Sequence, residues 1–247
     1  MTGWSDHPGS SRDLLLAVVL RRAEFGGVSA LAGQTFTGRR EAGKLLAAEM
    51  AKYAGRDDVV VLGLPRGGVP VAWEVARGLR APLDVLIVRK LGAPGQPELA
   101  IGAIGEGGVR VLNEGLIRGL MIPARDIDRI AAVEEKELQR RISTYRGSHE
   151  PLILQDKTVI VVDDGVATGA TMRAGLQAVK AMGAARVIAA FPVGASDSVS
   201  GIEEVADEVV VLQTPAWFGA VGEWYEDFRP TTDEDVQRIL AGSREGQ

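Results

Sequence analysis

Residues 159–171, VIVVDDGVATGAT, contain the sequence feature that most constrains the fold of this chain. A short apolar run, typical of a buried strand, is followed by Asp163 and Asp164 and then by a loop of small and hydroxylated residues. In an open α/β sheet, ligands bind outside the carboxyl ends of the strands, so both carboxylates are expected at a ligand site. Paired carboxylates suit ribose hydroxyls, whereas backbone N–H groups, threonine hydroxyls and a helix N-terminus suit a phosphate. The segment therefore predicts a sugar-phosphate site.

Strands alternate with helices along most of the chain, which predicts an α/β fold with a mostly parallel, open sheet flanked by helices. Two short strands are expected to meet at Gly107–Gly108, and Thr232 and Asp235 have the spacing of a capping box at the start of a final helix. A chain of 247 residues favours one large domain. Hydrophobic periodicity predicts helices over residues 39–53, 68–81, 124–145, 172–183 and 196–206, and strands over residues 57–64, 83–90, 159–162, 186–193 and 207–212.

The composition excludes several kinds of function. The chain has no cysteine, which excludes disulfides and thiolate catalysis, and His7 and His149 lack the spacing of metal ligands. A net charge of -5 without a block of Lys or Arg argues against nucleic acid as the main partner. No apolar run approaches the roughly 18 to 20 residues of a membrane span, and the apolar residues 14–20 lack a signal-peptide cleavage site. We therefore expect a cytoplasmic protein that binds small molecules.

A second glycine-rich turn, GLPRGGVP at residues 63–70, also lies between an apolar strand and a helix. The backbone N–H groups of Gly67 and Gly68, together with the guanidinium group of Arg66, suit a bound anion. On its own, this turn is also compatible with an ordinary connection between a strand and a helix.

The segment 159–171 resembles the phosphoribosyl diphosphate (PRPP) signature of type I phosphoribosyltransferases: an apolar run, two acids, three variable positions and Thr-Gly-x-Thr. The resemblance implies a Rossmann-like α/β fold with a small hood and a flexible lid loop. It also implies that the acids hold the ribose and Mg²⁺ and that the loop holds the 5-phosphate. Arg66, Gly67 and Gly68 match the first pyrophosphate loop of the family, whose peptide is often a non-proline cis bond. The implied PRPP-binding residues are Arg66, Gly67, Gly68, Asp163, Asp164, Gly165, Val166, Ala167, Thr168, Gly169, Ala170 and Thr171.

The reaction that the resemblance implies is Mg²⁺-dependent transfer of a 5-phosphoribosyl group from PRPP to a nitrogenous base, with release of pyrophosphate. Charge separates as the bond from ribose to pyrophosphate breaks, so cations are needed near the leaving group and carboxylates near the ribose. The stretch 88–111 resembles the lid of adenine phosphoribosyltransferases, which nominates Arg89 and Lys90 for the pyrophosphate and Glu106 for the proton of the base. Glu98 competes with Glu106 for this role, and Glu106 could instead be a charged hairpin tip. The catalytic residues implied in this way are Asp163, Asp164, Arg89, Lys90 and Glu106.

The hood segment, residues 213–230, is the expected base pocket because it holds five of the twelve aromatic residues of the chain. Aromatic faces stack on flat heterocycles, and a short resemblance to hypoxanthine-guanine enzymes nominates Trp217 or Phe218 for the base. The same resemblance adds Asp227 to Asp163 and Asp164 as a metal ligand. Ala206 and Ala167 stand where those enzymes carry a lysine and an aspartate, so the base is left open. The aromatic residues could instead pack the final helix onto the sheet.

We divide the chain into an N-terminal extension (1–35), a phosphoribosyltransferase domain (36–235) and a C-terminal helix end and tail (236–247). Two alternatives to a nucleobase transferase stay open: a non-catalytic sensor of PRPP or nucleotides on the same fold, and a hydrolase or transferase acting on another amine. The cations Arg89 and Lys90 favour an enzyme, because a sensor has no leaving group to stabilise. A homodimer is also left open.

Overall fold

The computed structural model describes residues 33–147, 150–151 and 153–245, apart from the side chains of Glu98 and Glu245. The predictions for residues 1–32, for His149 and for the Glu98 carboxylate lie outside the described part of the chain. Within that part, no helix is both long enough and apolar enough to cross a membrane.

The elements follow the predicted alternation of strands and helices. Short 3₁₀ turns cover Ala51–Tyr53, Glu106–Gly108 and Val221–Trp224. In chain order, the strands and helices are β1 (Phe36–Gly38), α1 (Arg39–Glu49), β2 (Val59–Gly63), α2 (Gly68–Leu79), β3 (Leu83–Val85), β4 (Val88–Ala93), β5 (Gln96–Gly105), β6 (Arg110–Leu112), α3 (Glu114–Gly119), α4 (Ala124–Arg146), β7 (Thr158–Val162), α5 (Ala170–Ala181), β8 (Arg186–Val193), α6 (Ser196–Glu203), β9 (Glu208–Gln213), β10 (Tyr225–Asp227) and α7 (Asp233–Glu245).

The main sheet has five parallel strands in the order β3-β2-β7-β8-β9. Its central strands β2 and β7 are buried along their whole length, as strands covered by helices on both faces must be. The predicted α/β fold with a mostly parallel sheet flanked by helices is confirmed. Because all five strands are parallel, their carboxyl ends share one edge, and the segments that follow β2 and β7 leave that edge side by side.

Alternating side chains along each strand build two separate cores. Val59 and Val61 of β2 belong to the core beneath α1, α2 and α7, whereas Val60 and Leu62 belong to the core beneath α5 and α6. The same alternation divides β7, since Ile160 faces the first core. The apolar runs read from the sequence are therefore strands that contribute to both layers of helices.

The segment expected as an irregular lid is instead part of a second, antiparallel sheet in the order β4-β5-β6. Strands β4 and β5 pair from Val88↔Gly105 to Ala93↔Gln96, with register shifts at Gly92. The predicted strand 83–90 is consequently two strands, β3 and β4, which belong to different sheets. The predicted hairpin that turns at Gly107–Gly108 is confirmed, because β5 pairs with β6 across this turn.

A two-stranded parallel sheet, β1-β10, was not expected from the sequence. Phe36 lies beside Tyr225 and Gly38 beside Asp227, so the chain that enters α1 is tied to the hood segment. The predicted capping box is confirmed, because Asp235 N donates to Thr232 Oγ1 at 3.1 Å and Thr232 N donates to Asp235 Oδ2 at 3.0 Å.

Candidate functional site

Asp163 and Asp164 follow β7 directly, at the carboxyl edge of the main sheet. Asp163 N donates to Ala190 O of β8 at 3.2 Å, and Asp164 N donates to Asp163 Oδ1 at 2.9 Å. Both side chains are only partly accessible to solvent. The backbone therefore holds the two carboxylates next to each other at the edge where the sequence predicts them.

Burial controls the charge state of this acidic pair. Burial raises the pKa of Asp163 well above its ordinary range, and the neighbouring Asp164 carboxylate raises it further. Burial also raises the pKa of Asp164, although the Arg39 guanidinium group opposes this shift. Two adjacent carboxylates in a desolvated position repel each other, so the pair favours a ligand that brings hydroxyl donors or positive charge.

Hydrogen bonds to β8 and α6 hold the loop that follows the acidic pair, and the tip of the loop is exposed to solvent. Val166 N donates to Val193 O at 2.9 Å, and Ser198 Oγ of α6 donates to the carbonyl oxygen of Ala167 at 2.6 Å. Gly169 has a φ of +70°, a value that favours glycine, and α5 begins at the next residue with no acidic side chain in its first turn. Ala167 and Thr168 are exposed. An anion above this loop would meet backbone N–H groups and a positive helix terminus.

The second predicted loop lies against the acidic pair. Leu64 N donates to Val162 O at 2.9 Å, and the Pro65–Arg66 peptide is cis, as the resemblance implies. A Cβ atom added to Gly67 would lie 1.9 Å from Asp164 Oδ2, and one added to Gly68 would lie 2.6 Å from Val162 O. Both positions therefore exclude any side chain. The structure brings together two motifs that the sequence separates by almost a hundred residues.

Arg66 points to a different partner from the acidic pair. Its side chain is about half exposed, and its Nη1 atom lies 3.8 Å from Asp233 Oδ1 at the start of α7. The same carboxylate oxygen accepts a hydrogen bond of 2.7 Å from Tyr145 Oη. Arg66 is thus accessible to a ligand at the mouth of the loop, and its ion pair with Asp233 is long.

Two residues that were not predicted hold Asp164 in place. Arg39 Nε, at the start of α1, donates to Asp164 Oδ2 at 2.7 Å. The Tyr225 hydroxyl group donates to the Asp164 carbonyl oxygen. Burial, followed by the charge of Asp164, raises the pKa of Tyr225, so its phenol remains a donor. Neither residue belongs to a recognisable motif, and the only signal near Arg39 is a helix that begins after a short Phe-Thr-Gly segment.

Arg89 and Lys90, the predicted pyrophosphate cations, lie on β4. Arg89 Nη2 is 2.7 Å from Glu134 Oε2 of α4, so its charge is partly compensated within the protein. A cavity of about 520 Å³ lies between the β4–β5 hairpin and α4. It is lined by Arg89, Lys90, Gly92, Ala93, Pro94, Gly95, Pro97, Arg129, Ile130, Val133 and Glu134.

Glu106 requires a correction. It lies at the turn between β5 and β6, but its carboxylate is buried and accepts hydrogen bonds from Arg146, one of them at 3.0 Å. Arg146 also donates to Asp84 Oδ2 at 3.0 Å, which completes a buried group of two acids and one base. A carboxylate committed to a buried cation is not available to a base, so the predicted catalytic role of Glu106 and its alternative as an exposed tip are both unsupported.

The hood segment divides its aromatic side chains between packing and exposure. Tyr225 and Phe228 stack with ring centroids 5.1 Å apart, and Val221 lies so close to Gly165 that an added Cβ would approach it within 2.4 Å. The side chain of Trp217 is 91% exposed, and Phe218 is half-buried. The hood segment therefore packs against Gly165 of the loop that follows the acidic pair and leaves Trp217 accessible to a ligand.

Asp227, the predicted third metal ligand, forms an ion pair with Arg229. Its carboxylate accepts from Arg229 at 2.6 Å, and hydrogen bonds from Arg229 lower the pKa of Asp227 to about 2. Across the described residues, there is no group of three or more acidic or histidine side chains that could hold a metal ion. The prediction of three protein carboxylates around one metal is therefore not supported.

Comparisons with known proteins identify the family to which the chain is similar. The phosphoribosyl transferase domain family matches residues 38–229. Two strains of Mycobacterium tuberculosis contain a relative, provisionally named a phosphoribosyl transferase, that is 51% identical over 205 residues, which cover 83% of this chain and 46% of the relative. The chain thus spans about half the length of these curated relatives. A Thermus thermophilus protein of known crystal structure is 46% identical with a TM-score of 0.78, and the match covers 85% of this chain and 99% of that chain.

The family match contains both ligand loops, the acidic pair, the β4–β5 hairpin and nearly all of the hood segment. It also spans well over half of the chain. This chain therefore belongs to the phosphoribosyl transferase domain family.

Proposed function

We propose that this protein catalyses Mg²⁺-dependent transfer of the 5-phosphoribosyl group of PRPP to a nitrogenous base, with release of pyrophosphate. The observation that carries the proposal is the contact between the two loops, where Gly67 closes on Asp164 Oδ2. PRPP carries a phosphate, a diol and a pyrophosphate on one ribose ring. Its binding requires a phosphate loop, paired acceptors and a pyrophosphate loop next to one another, and the structure has candidates for all three in contact.

Each loop has a role in this proposal. Backbone N–H groups of residues 165–171, apart from that of Val166, which donates to Val193 O, bind the 5-phosphate together with the hydroxyls of Thr168 and Thr171, helped by the N-terminus of α5. Asp163 and Asp164 accept hydrogen bonds from the ribose hydroxyls. Gly67 and Gly68 allow the pyrophosphate to approach the backbone closely, and Arg66 supplies a cation at the mouth of the loop.

The acidic pair fits a Mg²⁺ ion that arrives with the substrate. Among the described residues, Arg39 is the cation that compensates the two adjacent, partly buried carboxylates, and carboxylate oxygens are the ligands that Mg²⁺ prefers. Since no third acid lies with them in the described chain, Asp163 and Asp164 would share the ion with oxygen atoms of PRPP. When bound, Mg²⁺ would neutralise charge that develops on the departing pyrophosphate.

The remaining parts of the reaction fall to the β4–β5 hairpin and the hood segment. We assign Arg89 and Lys90 to the pyrophosphate and Trp217 or Phe218 to the base, because aromatic faces stack on heterocycles. The exposure of Trp217 supports this assignment, since a packing residue would be covered. Glu106 and Asp227 are not carried into the proposal.

The direct test incubates the protein with PRPP, Mg²⁺ and one base at a time from a panel of purines and pyrimidines, and measures pyrophosphate release. We expect release with at least one base, loss of release when Mg²⁺ is chelated, and loss in the Asp163→Asn variant. The matched control is Gly119→Ala, a change at a position with open space around it. Pyrophosphate release that continues unchanged in Asp163→Asn would contradict the proposal.

One observation favours a second candidate, a non-catalytic sensor of PRPP. Arg89 and Glu106, two of the residues expected to assist transfer, are engaged by Glu134 and Arg146 of α4. A sensor keeps the PRPP loops but needs no free lid groups. Tight PRPP binding without pyrophosphate release for any base in the panel would favour the sensor over the enzyme.

A further inference from the structure

Arg39 connects the acidic pair to the hood segment. Its Nε atom donates to Asp164 Oδ2 at 2.7 Å, and its Nη1 atom donates to the carbonyl oxygen of Arg229 at 2.9 Å. Asp164 Oδ2 is also the atom closest to an added Cβ on Gly67. One guanidinium group thus fixes the carboxylate oxygen at which the PRPP loop, the pyrophosphate loop and the hood segment meet.

The hood side of this connection is aromatic. The guanidinium carbon of Arg39 lies 4.0 Å from the centroid of the Phe228 ring and 5.9 Å from that of Tyr225. Phe36 completes the cluster, with its ring 5.5 Å from Tyr225. The Arg39 side chain is only 11% exposed, so its charge depends on Asp164 and on these ring faces. A cation placed in this way is sensitive to movement of the hood segment.

The backbone on either side of Arg39 fixes the position of its side chain relative to the hood segment. Arg39 is the first residue of α1 and follows β1, which pairs with β10 of the hood segment. Tyr225 of β10 donates through its hydroxyl group to the Asp164 carbonyl oxygen. The side chain and the main chain of Asp164 are therefore both held by elements that the β1-β10 pairing joins.

We propose that Arg39 is a positioning residue, which fixes the Asp164 carboxylate for PRPP and couples occupancy of the PRPP site to the hood segment. This inference rests on the proposed function. A planar guanidinium group can donate to Asp164 and Arg229 while it stacks on Phe228, whereas a lysine ammonium group cannot make these three contacts at once. If only the positive charge mattered, lysine at position 39 would replace arginine fully. The proposed coupling predicts that it will not.

The experiment compares the wild-type protein with Arg39→Gln, Arg39→Lys and the control Arg40→Gln, which changes the exposed neighbour of Arg39. Calorimetry gives the affinity for PRPP with Mg²⁺, and tryptophan fluorescence reports the hood segment through exposed Trp217. A Trp217→Phe variant identifies the part of the emission that belongs to Trp217. Thermal unfolding of each variant without ligand verifies that it is folded.

We expect Arg39→Gln to weaken PRPP binding by about ten- to hundredfold, the range for loss of a hydrogen bond between charged groups. We also expect saturating PRPP to change the Trp217 emission of the wild type but not that of this variant, and a wild type that binds PRPP without any emission change would overturn the coupling. Arg39→Lys should recover much of the affinity but not the emission change, and Arg40→Gln should match the wild type in both. Wild-type affinity and emission in folded Arg39→Gln would overturn the inference.

Two further outcomes are decisive. If Arg39→Gln does not fold, Phe228→Leu replaces it, because this change removes the stacked ring but keeps the ion pair of Arg39 with Asp164. The emission change should then be reduced while PRPP affinity stays within about threefold, and an unchanged emission response would overturn the coupling. If the wild type itself does not bind PRPP, both the proposed function and this inference are wrong. If the wild type binds PRPP but the Arg39 variants do not behave as expected, only this inference is wrong.

Discussion

Gly67 is the residue at which the two ligand loops touch, and it has no room for a side chain. A Cβ atom there would lie 1.9 Å from Asp164 Oδ2, an approach that neither the backbone nor the buried carboxylate can accept without moving. The glycine is thus required by a tertiary contact rather than by a positive φ. The sequence identifies the turn, but only the structure identifies the atom that it must avoid.

Gly67→Ala should therefore weaken PRPP binding by at least about tenfold, because it separates the pyrophosphate loop from the acidic pair. Calorimetry with PRPP and Mg²⁺ measures this effect. Gly119→Ala serves as the matched control, since its added methyl group meets nothing within 4 Å. Equal affinities for the two variants would show that the loops do not form a joint site.

Asp163 is expected to lower stability at neutral pH, as functional carboxylates in desolvated sites often do. Its pKa in the folded protein is raised well above the ordinary value of 3.8, first by burial and then by the charge of Asp164. The folded state therefore binds the proton more readily than the unfolded state. The stability linked to this proton is fully present below the unfolded pKa and is lost as the pH rises through the folded pKa.

Asp163→Asn should consequently raise the free energy of unfolding at about pH 8, by on the order of 1 kcal/mol, and the gain should disappear near pH 4. Urea unfolding at a series of pH values measures the difference between the variant and the wild type. Asp57→Asn, at an exposed position, controls for the loss of one negative charge. A difference that does not change with pH would show that the Asp163 carboxylate is not desolvated in the folded protein.

The β4–β5 hairpin is the element that sequence reasoning describes least well. The glycines of this stretch are compatible with a flexible lid loop, but Gly92 and Gly102 permit close packing between strands. A Cβ atom on Gly92 would lie 2.5 Å from Pro97 O, and one on Gly102 would lie 2.4 Å from Val111 O. The sequence does not show whether a glycine provides flexibility or allows a neighbouring strand to approach closely. Only the position of the neighbouring strand distinguishes the two.

Arg89 offers a test of whether this hairpin acts on the pyrophosphate. If Arg89 only pairs with Glu134, Arg89→Ala and Glu134→Gln should have similar effects on stability and none on chemistry. If it stabilises the departing pyrophosphate, Arg89→Ala should lower the single-turnover rate about a hundredfold while Glu134→Gln retains it. Rapid-quench kinetics with a base that the enzyme accepts distinguishes these two possibilities. Single-turnover rates equal to that of the wild type in both variants would show that Arg89 has no part in the proposed mechanism.

The buried group of Arg146, Glu106 and Asp84 joins α4 to two other elements. Arg146 is 40 residues from Glu106 and 62 residues from Asp84 in the chain, so no local pattern could predict the pairing. Glu106 therefore reads from the sequence as a catalytic acid or an exposed tip. Its burial in this group is a consequence of how α4 packs on the two sheets.

Arg146→Met should lower the free energy of unfolding by about 3–5 kcal/mol, because it leaves two carboxylates buried without a cation. Chemical denaturation measures this loss. Arg140→Ala, which removes an exposed ion pair with Glu137, should cost less than about 1 kcal/mol. Similar losses in both variants would mean that the Arg146 group is more hydrated than the structure shows.

At the scale of the whole molecule, sequence reasoning succeeds where the signal is local. The two ligand loops each follow an apolar strand, and a parallel sheet brings their carboxyl ends to one edge, so their meeting could be predicted. Arg39 could not be predicted in the same way, because 125 residues separate it from Asp164 and a three-residue strand positions it. The base pocket could not be predicted from local sequence either, since the hood segment contains both exposed Trp217 and buried Tyr225.

The central claim is that the two loops and the acidic pair form one binding site for PRPP. The most direct measurement is calorimetric titration of the protein with PRPP in the presence of Mg²⁺, for the wild type, Asp163→Asn and Asp164→Asn, with Asp57→Asn as the control. We predict saturable binding to the wild type and the control, and affinity lower by at least about tenfold in both site variants. Affinities in Asp163→Asn and Asp164→Asn equal to that of the wild type would contradict the account.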